Sequence, residues 1–258
     1  TKTLDAALLN NRIDIAVHSM KDVPTQLAKG IVQVSVLKRA SYKDIFVFND
    51  KESIKDWQLD NTTLNSPLGV GGTIGTSSIR RIAQWLNRYP NHTVENLRGN
   101  VNTRLRKVAE NNWNGAIFAA AGVERIEVRP ENSIDLDWML PAPAQGAIMI
   151  VGREGDDFAM NACQSFNDAP TALCTKIERD FLRTLMGGCS TPISALAEVK
   201  DSTLFFKGNL CSPNGQQRFD ISKQLPINDR TDIGISAAKE LLNDPAVSQL
   251  VHSIRNGK

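Results

Sequence analysis

No apolar run in this 258-residue chain approaches the roughly 20 residues a membrane-spanning helix needs. No basic-then-apolar signal segment opens it either. Cysteine is scarce: Cys163, Cys174, Cys189 and Cys211 stand far apart, with no CxxC pair and no histidine cluster beside them. That spacing argues against a zinc site, and so few thiols in so long a chain make reduced cysteines in the cytosol the default, hence an expected cytoplasmic location. Charge of either sign is nearly balanced at +2, so no global signal for a polyanionic partner exists. Internal repeats and low-complexity segments are absent.

What is present is ordinary for a globular protein: 41% apolar and 22% charged residues. Strand-like runs alternate with helical ones. "IDIAV" (Ile13–Val17), "VQVSVL" (Val32–Leu37) and "DIFVF" (Asp44–Phe48) come first. "VGGTIGT" (Val70–Thr76) leads into a helix over Ile79–Arg88 whose apolar positions are Ile79, Ile82, Ala83 and Leu86. "TVENLR" (Thr93–Arg98) leads into a second helix over Val101–Asn111, and "GAIFAAAG" (Gly115–Gly122) and "GAIMIVG" (Gly146–Gly152) read as further buried strands. This alternation predicts α/β layers with substantial parallel pairing. Near Asp168 the pattern changes to one long helix, Thr171–Met186, three amphipathic strands and a helix over Asp232–Asn243, a small α+β unit.

Charge is distributed less evenly than its total suggests. Between Thr73 and Ala109 stand Arg80, Arg81, Arg88, Arg98, Arg104, Arg106 and Lys107 against the single acid Glu95. A compact anionic ligand is the natural inference. Thr76, Ser77 and Ser78 can cap the helix that follows, and its exposed N–H groups favour an anion. Arg80 and Arg81 lie in its first turn, where positive charge is unfavourable by a few tenths of a kcal/mol unless an anion reverses the balance. Arg98 is placed at a strand end, and Arg104 one turn into the next helix, where open α/β sheets bind ligands. Arg88 and Arg106, further along their helices, read as solvated, as do His92 and His252. Cys189 sits in a glycine-softened loop, where a small buried hydrophobe and a reactive thiol are both possible readings. Gln145 either touches a ligand or stitches two units together.

Five stretches in order carry a resemblance: "HSMKDVP" (His18–Pro24), "GTSSIRR" (Gly75–Arg81), "LRGNVNTRL" (Leu97–Leu105), "PAPAQGA" (Pro141–Ala147) and "ERDFLRTLMGGCSTPI" (Glu178–Ile193). Their sequence and approximate spacing resemble the porphobilinogen deaminase (hydroxymethylbilane synthase) family. The resemblance implies a transferase that joins four porphobilinogen molecules head to tail into hydroxymethylbilane with release of ammonia, in tetrapyrrole (haem) biosynthesis. It implies an α/β fold of two lobes like those of type II periplasmic binding proteins, the first incomplete, with a small C-terminal α+β domain built on a three-stranded antiparallel sheet. The corresponding spans are 1–38 with 147–164, then 43–141, then 168–258. A dipyrromethane cofactor is expected on Cys189 through a thioether.

Matched by motif, Asp22 is the expected catalytic carboxylate. Lys21, Ser78, Arg80, Arg81 and Arg104 are the expected cofactor binders. Arg98, Arg104, Ser19, Thr76 and Gln145 are expected to meet substrate. The expected partners are porphobilinogen and the growing oligopyrrole, with no metal, nucleic acid or membrane, and the expected state is a monomer. Departures from the family pattern are an expected start inside the first lobe, a longer stretch from Asn61 to Gly71, and Val151 where glutamate is common. A non-catalytic anion-binding module of the same fold is the alternative. A nucleic-acid binder is disfavoured because no row of stacking aromatics accompanies the arginines.

Overall fold

A computed structural model describes residues 2–57, 71–185, 191–227 and 232–256. The chain opens with α1 (Lys2–Leu9), β1 (Ile15–Ser19) and β2 (Ile31–Val36). It crosses to a second sheet through β3 (Asp44–Phe48), β4 (Thr73–Gly75), α2 (Ile79–Arg88), β5 (Thr93–Glu95), α3 (Val101–Glu110), β6 (Gly115–Ala119), α4 (Ala120–Glu124) and β7 (Ser133–Asp135). It then returns to the first sheet as β8 (Ile148–Arg153), followed by α5 (Asp157–Cys163). The remainder is α6 (Ala169–Leu185), β9 (Ile193–Lys200), β10 (Thr203–Cys211), β11 (Arg218–Pro226), α7 (Ile233–Leu242) and α8 (Pro245–Asn256).

Among the described residues the sheets run β1-β8-β2, β5-β4-β6-β3-β7 and β11-β10-β9. The first two are the sheets of two α/β lobes. The third is the antiparallel sheet of the C-terminal unit. Parallel pairing is less extensive than the sequence alternation predicts. Among the described residues it is confined to β4 with β5 and β6, whereas β8 is antiparallel to β1 and β2, and β3 to β6 and β7. The reason is topological: each lobe's sheet receives one strand arriving from the other lobe, and that strand runs against its neighbours. β3 is buried along its whole length because an apolar cluster covers each face, Phe46 with Trp85 and Ile117 on one side, Ile45 with Val108 and Phe118 on the other.

The two chain crossings between the lobes lie side by side. Leu37 N donates to Ile148 O at 3.0 Å and Ala40 N to Gly146 O at 3.2 Å. Gly146 takes a φ of +87°, and a Cβ there would meet Ser41 O at 2.6 Å, so the close approach requires glycine. One residue of α6 ties both crossings to the C-terminal unit. Glu178, fully buried, accepts from Arg39 Nη1 at 2.6 Å and Nη2 at 3.1 Å, from Ala144 N at 2.6 Å and from Ala197 N at 2.8 Å. Arg39 Nε also donates to Gln145 O at 2.8 Å. Four donors on one desolvated carboxylate make this a fully satisfied buried ion pair, which is costly to break from one side only. Glu178→Ala is expected to lower unfolding stability by about 3–5 kcal/mol, read from urea melts of the two proteins; a loss below about 1 kcal/mol would mean that water replaces the carboxylate without penalty.

Candidate active site

The first residue of β3 is the pivot of the site. β3 runs against β4 and β6, so Asp44, its first residue, lies at their carboxyl ends, opposite Ala119 of β6. That is the edge where α/β sheets bind ligands. Asp44 has no solvent exposure, and α2 delivers two guanidinium groups to it. Arg80 Nη2 donates to one carboxylate oxygen at 2.6 Å; Arg81 Nη2 and Nε donate to the other at 2.7 and 3.1 Å. Arg80 Nη1 also reaches Leu140 O, and Arg81 Nη1 reaches Ile117 O. Burial pushes the Asp44 carboxyl upward, but Arg80, Arg81 and Lys21 together outweigh it and hold the group at about 2.

This overturns part of the sequence reading. α2 does not bury the Ile79, Ile82 and Leu86 side; it buries Arg80, Arg81, Ala83, Gln84, Trp85 and Arg88. Most polar atoms on that face find partners, and Gln84 Nε2 reaches Leu140 O and Ser194 Oγ, both at 2.9 Å. Arg88 and His92, read as solvated, are also buried. The Arg88 guanidinium lies 4.9 Å over the Trp138 ring, and His92 packs among Trp57, Trp85 and Tyr89. Ser78 is the N-cap of α2, yet its side chain makes no capping bond; Ser77 Oγ turns to Leu97 O instead. Asn100, by contrast, caps α3 by accepting from Thr103 N at 2.8 Å.

The first lobe contributes a single 3-10 turn, Met20–Asp22, directly after β1. Met20 is buried and its N–H donates to Ala147 O, which anchors the turn against the lobe crossing. Lys21 Nζ donates to Gln145 Oε1 at 3.3 Å. The amide of Gln145 in turn donates to Tyr42 O at 2.7 Å and Asp44 Oδ1 at 3.0 Å. Every polar atom of that side chain is therefore occupied within the protein, so the stitching role proposed for Gln145 is present whether or not it meets a ligand. Asp22 is exposed and makes no hydrogen bond or ion pair with any described residue.

These groups converge on one cavity of about 760 Å³. Lys21, Asp22, Thr76, Ser78, Arg80, Arg81, Arg104 and Gln145 all line it, together with Leu182 and Thr191 of the C-terminal unit. Two expected site residues do not. Ser19 is exposed at the end of β1, and Arg98 is exposed beyond β5, which ends at Glu95 rather than at Arg98. Cys189 lies outside the described residues, as does most of the long stretch from Asn61. The described cysteines are buried. Burial pushes Cys174 to about 11 and Cys211 to about 12, so neither offers a thiolate near neutral pH. No group of three or more potential metal ligands occurs among the described residues, and no described helix is long and apolar enough to cross a membrane.

Asp44 is the residue that sequence reasoning missed. Its only signal was an acidic residue opening an otherwise apolar buried strand. With it in place, the cavity keeps a positive balance. Arg104 commits Nε to Gly99 O, and its proton affinity is lowered by partial burial and by Arg81. Lys21 is lowered to about 8, first by burial and then by Arg81, with Asp44 and Asp22 opposing. The donors therefore suit carboxylates, and the Nε of Arg80 is buried without a partner.

Fold and site together define a two-lobed protein whose cavity sets arginine, lysine and hydroxyl groups beside an exposed carboxylate. The chain belongs to the porphobilinogen deaminase family. Residues 1–161 match the family's dipyromethane cofactor binding domain and residues 172–243 its C-terminal domain. Among curated relatives, the chloroplastic porphobilinogen deaminase of Oryza sativa subsp. japonica is 40% identical over 243 residues, 93% of this chain and 64% of the relative. The porphobilinogen deaminases of Thermus thermophilus and Brevibacillus brevis are 37% and 35% identical, covering 93% and 100% of this chain and 77% and 80% of theirs. The chain thus spans about two thirds to four fifths of the relatives it matches. A solved amino-acid ABC transporter extracellular-binding protein of Bacillus subtilis is 13% identical with a TM-score of 0.35, covering 64% of this chain and 71% of that one.

Lys21 carries a pH signature. The unfolded chain holds the lysine proton more tightly than the folded one, so this residue alone makes stability rise between about pH 8 and 10.5. A bound carboxylate restores the charged form. Polycarboxylate binding is therefore expected to take up a proton near pH 8 and to weaken as pH rises toward 10. Calorimetry in two buffers of different ionisation enthalpy measures the uptake, and Lys21→Met should remove it; uptake that survives the substitution would assign it to another group.

Proposed function

We propose that this chain is the core of a hydroxymethylbilane synthase, a transferase that joins four porphobilinogen molecules into a linear tetrapyrrole with release of ammonia. The observation that carries the reading is the convergence of Asp22 from the first lobe with Arg81 and Arg104 from the second on one cavity. Each pyrrole unit brings two carboxylates, so a dipyrromethane primer brings four and each extension adds more. Arginine is suited to such groups because its planar fork grips an oxyanion with two donors at once.

The residues present fit the primer. Lys21, Ser78 and Arg104 would hold its carboxylates directly, Arg80 and Arg81 would act through the positive balance they keep beside Asp44, and Thr76 and Gln145 border the same space. Arg98 and Ser19 would meet substrate only at the rim, since neither lines the cavity. Thr191 and Leu182, which flank the segment carrying Cys189, line the cavity and support attachment at that thiol. When bound, the primer supplies the nucleophilic pyrrole carbon that starts the chain.

Asp22 has the chemistry for the step that follows. Loss of ammonia from porphobilinogen leaves a cation conjugated with the pyrrole. A carboxylate within ~4 Å of that cation, at an effective dielectric near 20, contributes about 4 kcal/mol. Made only in the transition state, this amounts to roughly a thousandfold in rate. The same group can move protons on the departing amine and the pyrrole nitrogen. In this reading the protein works as a monomer in the cytoplasm on porphobilinogen and the growing oligopyrrole.

Intact mass tests the attachment. The chain produced in cells that make porphobilinogen should carry two pyrrole units, and Cys189→Ser should remove them; an unmodified wild-type chain would favour the anion-binding module. Asp22→Asn should keep the two-unit adduct while slowing turnover about a thousandfold in a quenched-flow assay of ammonia release, and near-normal turnover would remove Asp22 from the chemistry.

A further inference from the structure

The turn that carries Lys21 and Asp22 is not held by its own lobe alone. Its backbone bonds are one from Met20 N to Ala147 O and one from Val23 N to Met20 O, the latter a long 3.2 Å. Three of its carbonyls point the other way, toward α6 of the C-terminal unit. There Arg179 Nη1 donates to Met20 O at 3.1 Å and Val23 O at 2.9 Å, and Nη2 donates to Pro24 O at 2.6 Å. One guanidinium thus takes up the carbonyls on both sides of the Lys21–Asp22 pair, 155 or more residues away in the chain. A planar fork is well matched to such a triplet. Its N–H groups are fixed relative to one another, so three carbonyls bound together are also fixed relative to one another.

We propose that Arg179 is a positioning residue for Asp22, a role that rests on Asp22 being the working carboxylate. Arg179 acts through the backbone of the turn and not through the ligand, since it is absent from the residues that line the cavity. Asp22, having no side-chain partner of its own among the described residues, takes its place in the cleft from this backbone alone. The consequence is a mechanical tie. Glu178, the neighbouring residue, locks α6 to the lobe crossings, and Leu182, four residues on, lines the cavity. The C-terminal unit therefore sets where the first lobe's carboxylate stands relative to the cavity, and a displacement of α6 carries that carboxylate with it.

Two measurements on the whole chain test this. Hydrogen exchange followed by mass spectrometry reads the turn directly and needs no turnover. In Arg179→Gln, peptides covering residues 18–25 should exchange at least tenfold faster, while peptides from β10 and α7 keep the wild-type rate. Unchanged exchange in 18–25 overturns the proposal, and so does faster exchange spread evenly over the chain, which would make Arg179 a general stabiliser. Arg179→Lys keeps the charge but not the fork and serves where the glutamine variant does not fold; it should show the same local effect, reduced. The second measurement is a double-substitution cycle on ammonia release. Arg179→Gln should lower kcat by about a hundredfold with KM within threefold, because a misplacement of about an ångström has that scale of effect. In an Asp22→Asn background it should then cost less than threefold. An equal loss in both backgrounds overturns the proposal. Full turnover by Asp22→Asn alone would instead remove the catalytic reading of Asp22, and the exchange result still decides whether Arg179 holds the turn.

Discussion

Two guanidinium groups cannot lie side by side without water unless a negative charge lies between them, and Asp44 is that charge. It is fully buried and bonded to both arginines. Removing a carboxylate and two arginines from water costs several kcal/mol per ion, a penalty offset only where geometry is close and the remaining polar atoms find partners. Leu140 O, Ile117 O and the Gln145 amide supply those partners for all but the Nε of Arg80. The outcome is a rigid three-charge unit at the carboxyl edge of the second sheet. It holds the first turn of α2 against the strand ends, and so fixes where Thr76 and Ser78 present their hydroxyls.

The same unit tempers the field of the cavity. The segment from Thr73 to Ala109 looks strongly cationic when its charges are summed along the chain, but the fold sets Asp44 against two of those cations and packs Arg88 over Trp138. What remains facing the cavity is one net positive charge from the Asp44 unit, plus Lys21 and Arg104, set against Asp22. A ligand with several carboxylates is attracted by such a field without meeting an array of bare cations. The fixed N–H groups around it are already oriented and need no reorganisation when charge develops nearby.

Much of this was legible in the sequence because local patterns and the fold agree. The strand at Asp44–Phe48, the helices α2, α3 and α6 and the three antiparallel strands all follow from period and turn residues. The illegible part follows from pairing across the fold. α2 has an apolar stripe at Ile79, Ile82 and Leu86, and helical periodicity alone selects it for burial. The structure buries the opposite, arginine-bearing face, because the counter-charge that makes this possible enters from a strand 36 residues earlier. His92 was misplaced for a similar reason: nothing near it in sequence announces the aromatic cluster that receives it. Cross-lobe pairing was also hidden, since alternation of strands and helices does not reveal that β3 and β8 each arrive from the other lobe and run antiparallel.

Within the cleft, polar groups divide by whether the protein already uses them. Gln145 and the paired N–H groups of Arg80 and Arg81 are engaged with carbonyls or with Asp44, and they make the wall rigid. Asp22, the Ser78 hydroxyl and the outer nitrogens of Arg104 have no partner among the described residues and are open to a visitor. This division suits the proposed chemistry, which would repeat on a lengthening, many-times-negative product. Each addition brings new carboxylates to the same place, so the groups that meet them must be able to release them. A wall built only of engaged arginines would bind nothing new, and one built only of open arginines would bind the first anion too tightly to let it move. Placing the open groups on elements anchored by the engaged ones, Arg104 on a capped α3 and Asp22 on a turn bound at both ends, gives a site that is fixed in position yet exchangeable in its contacts.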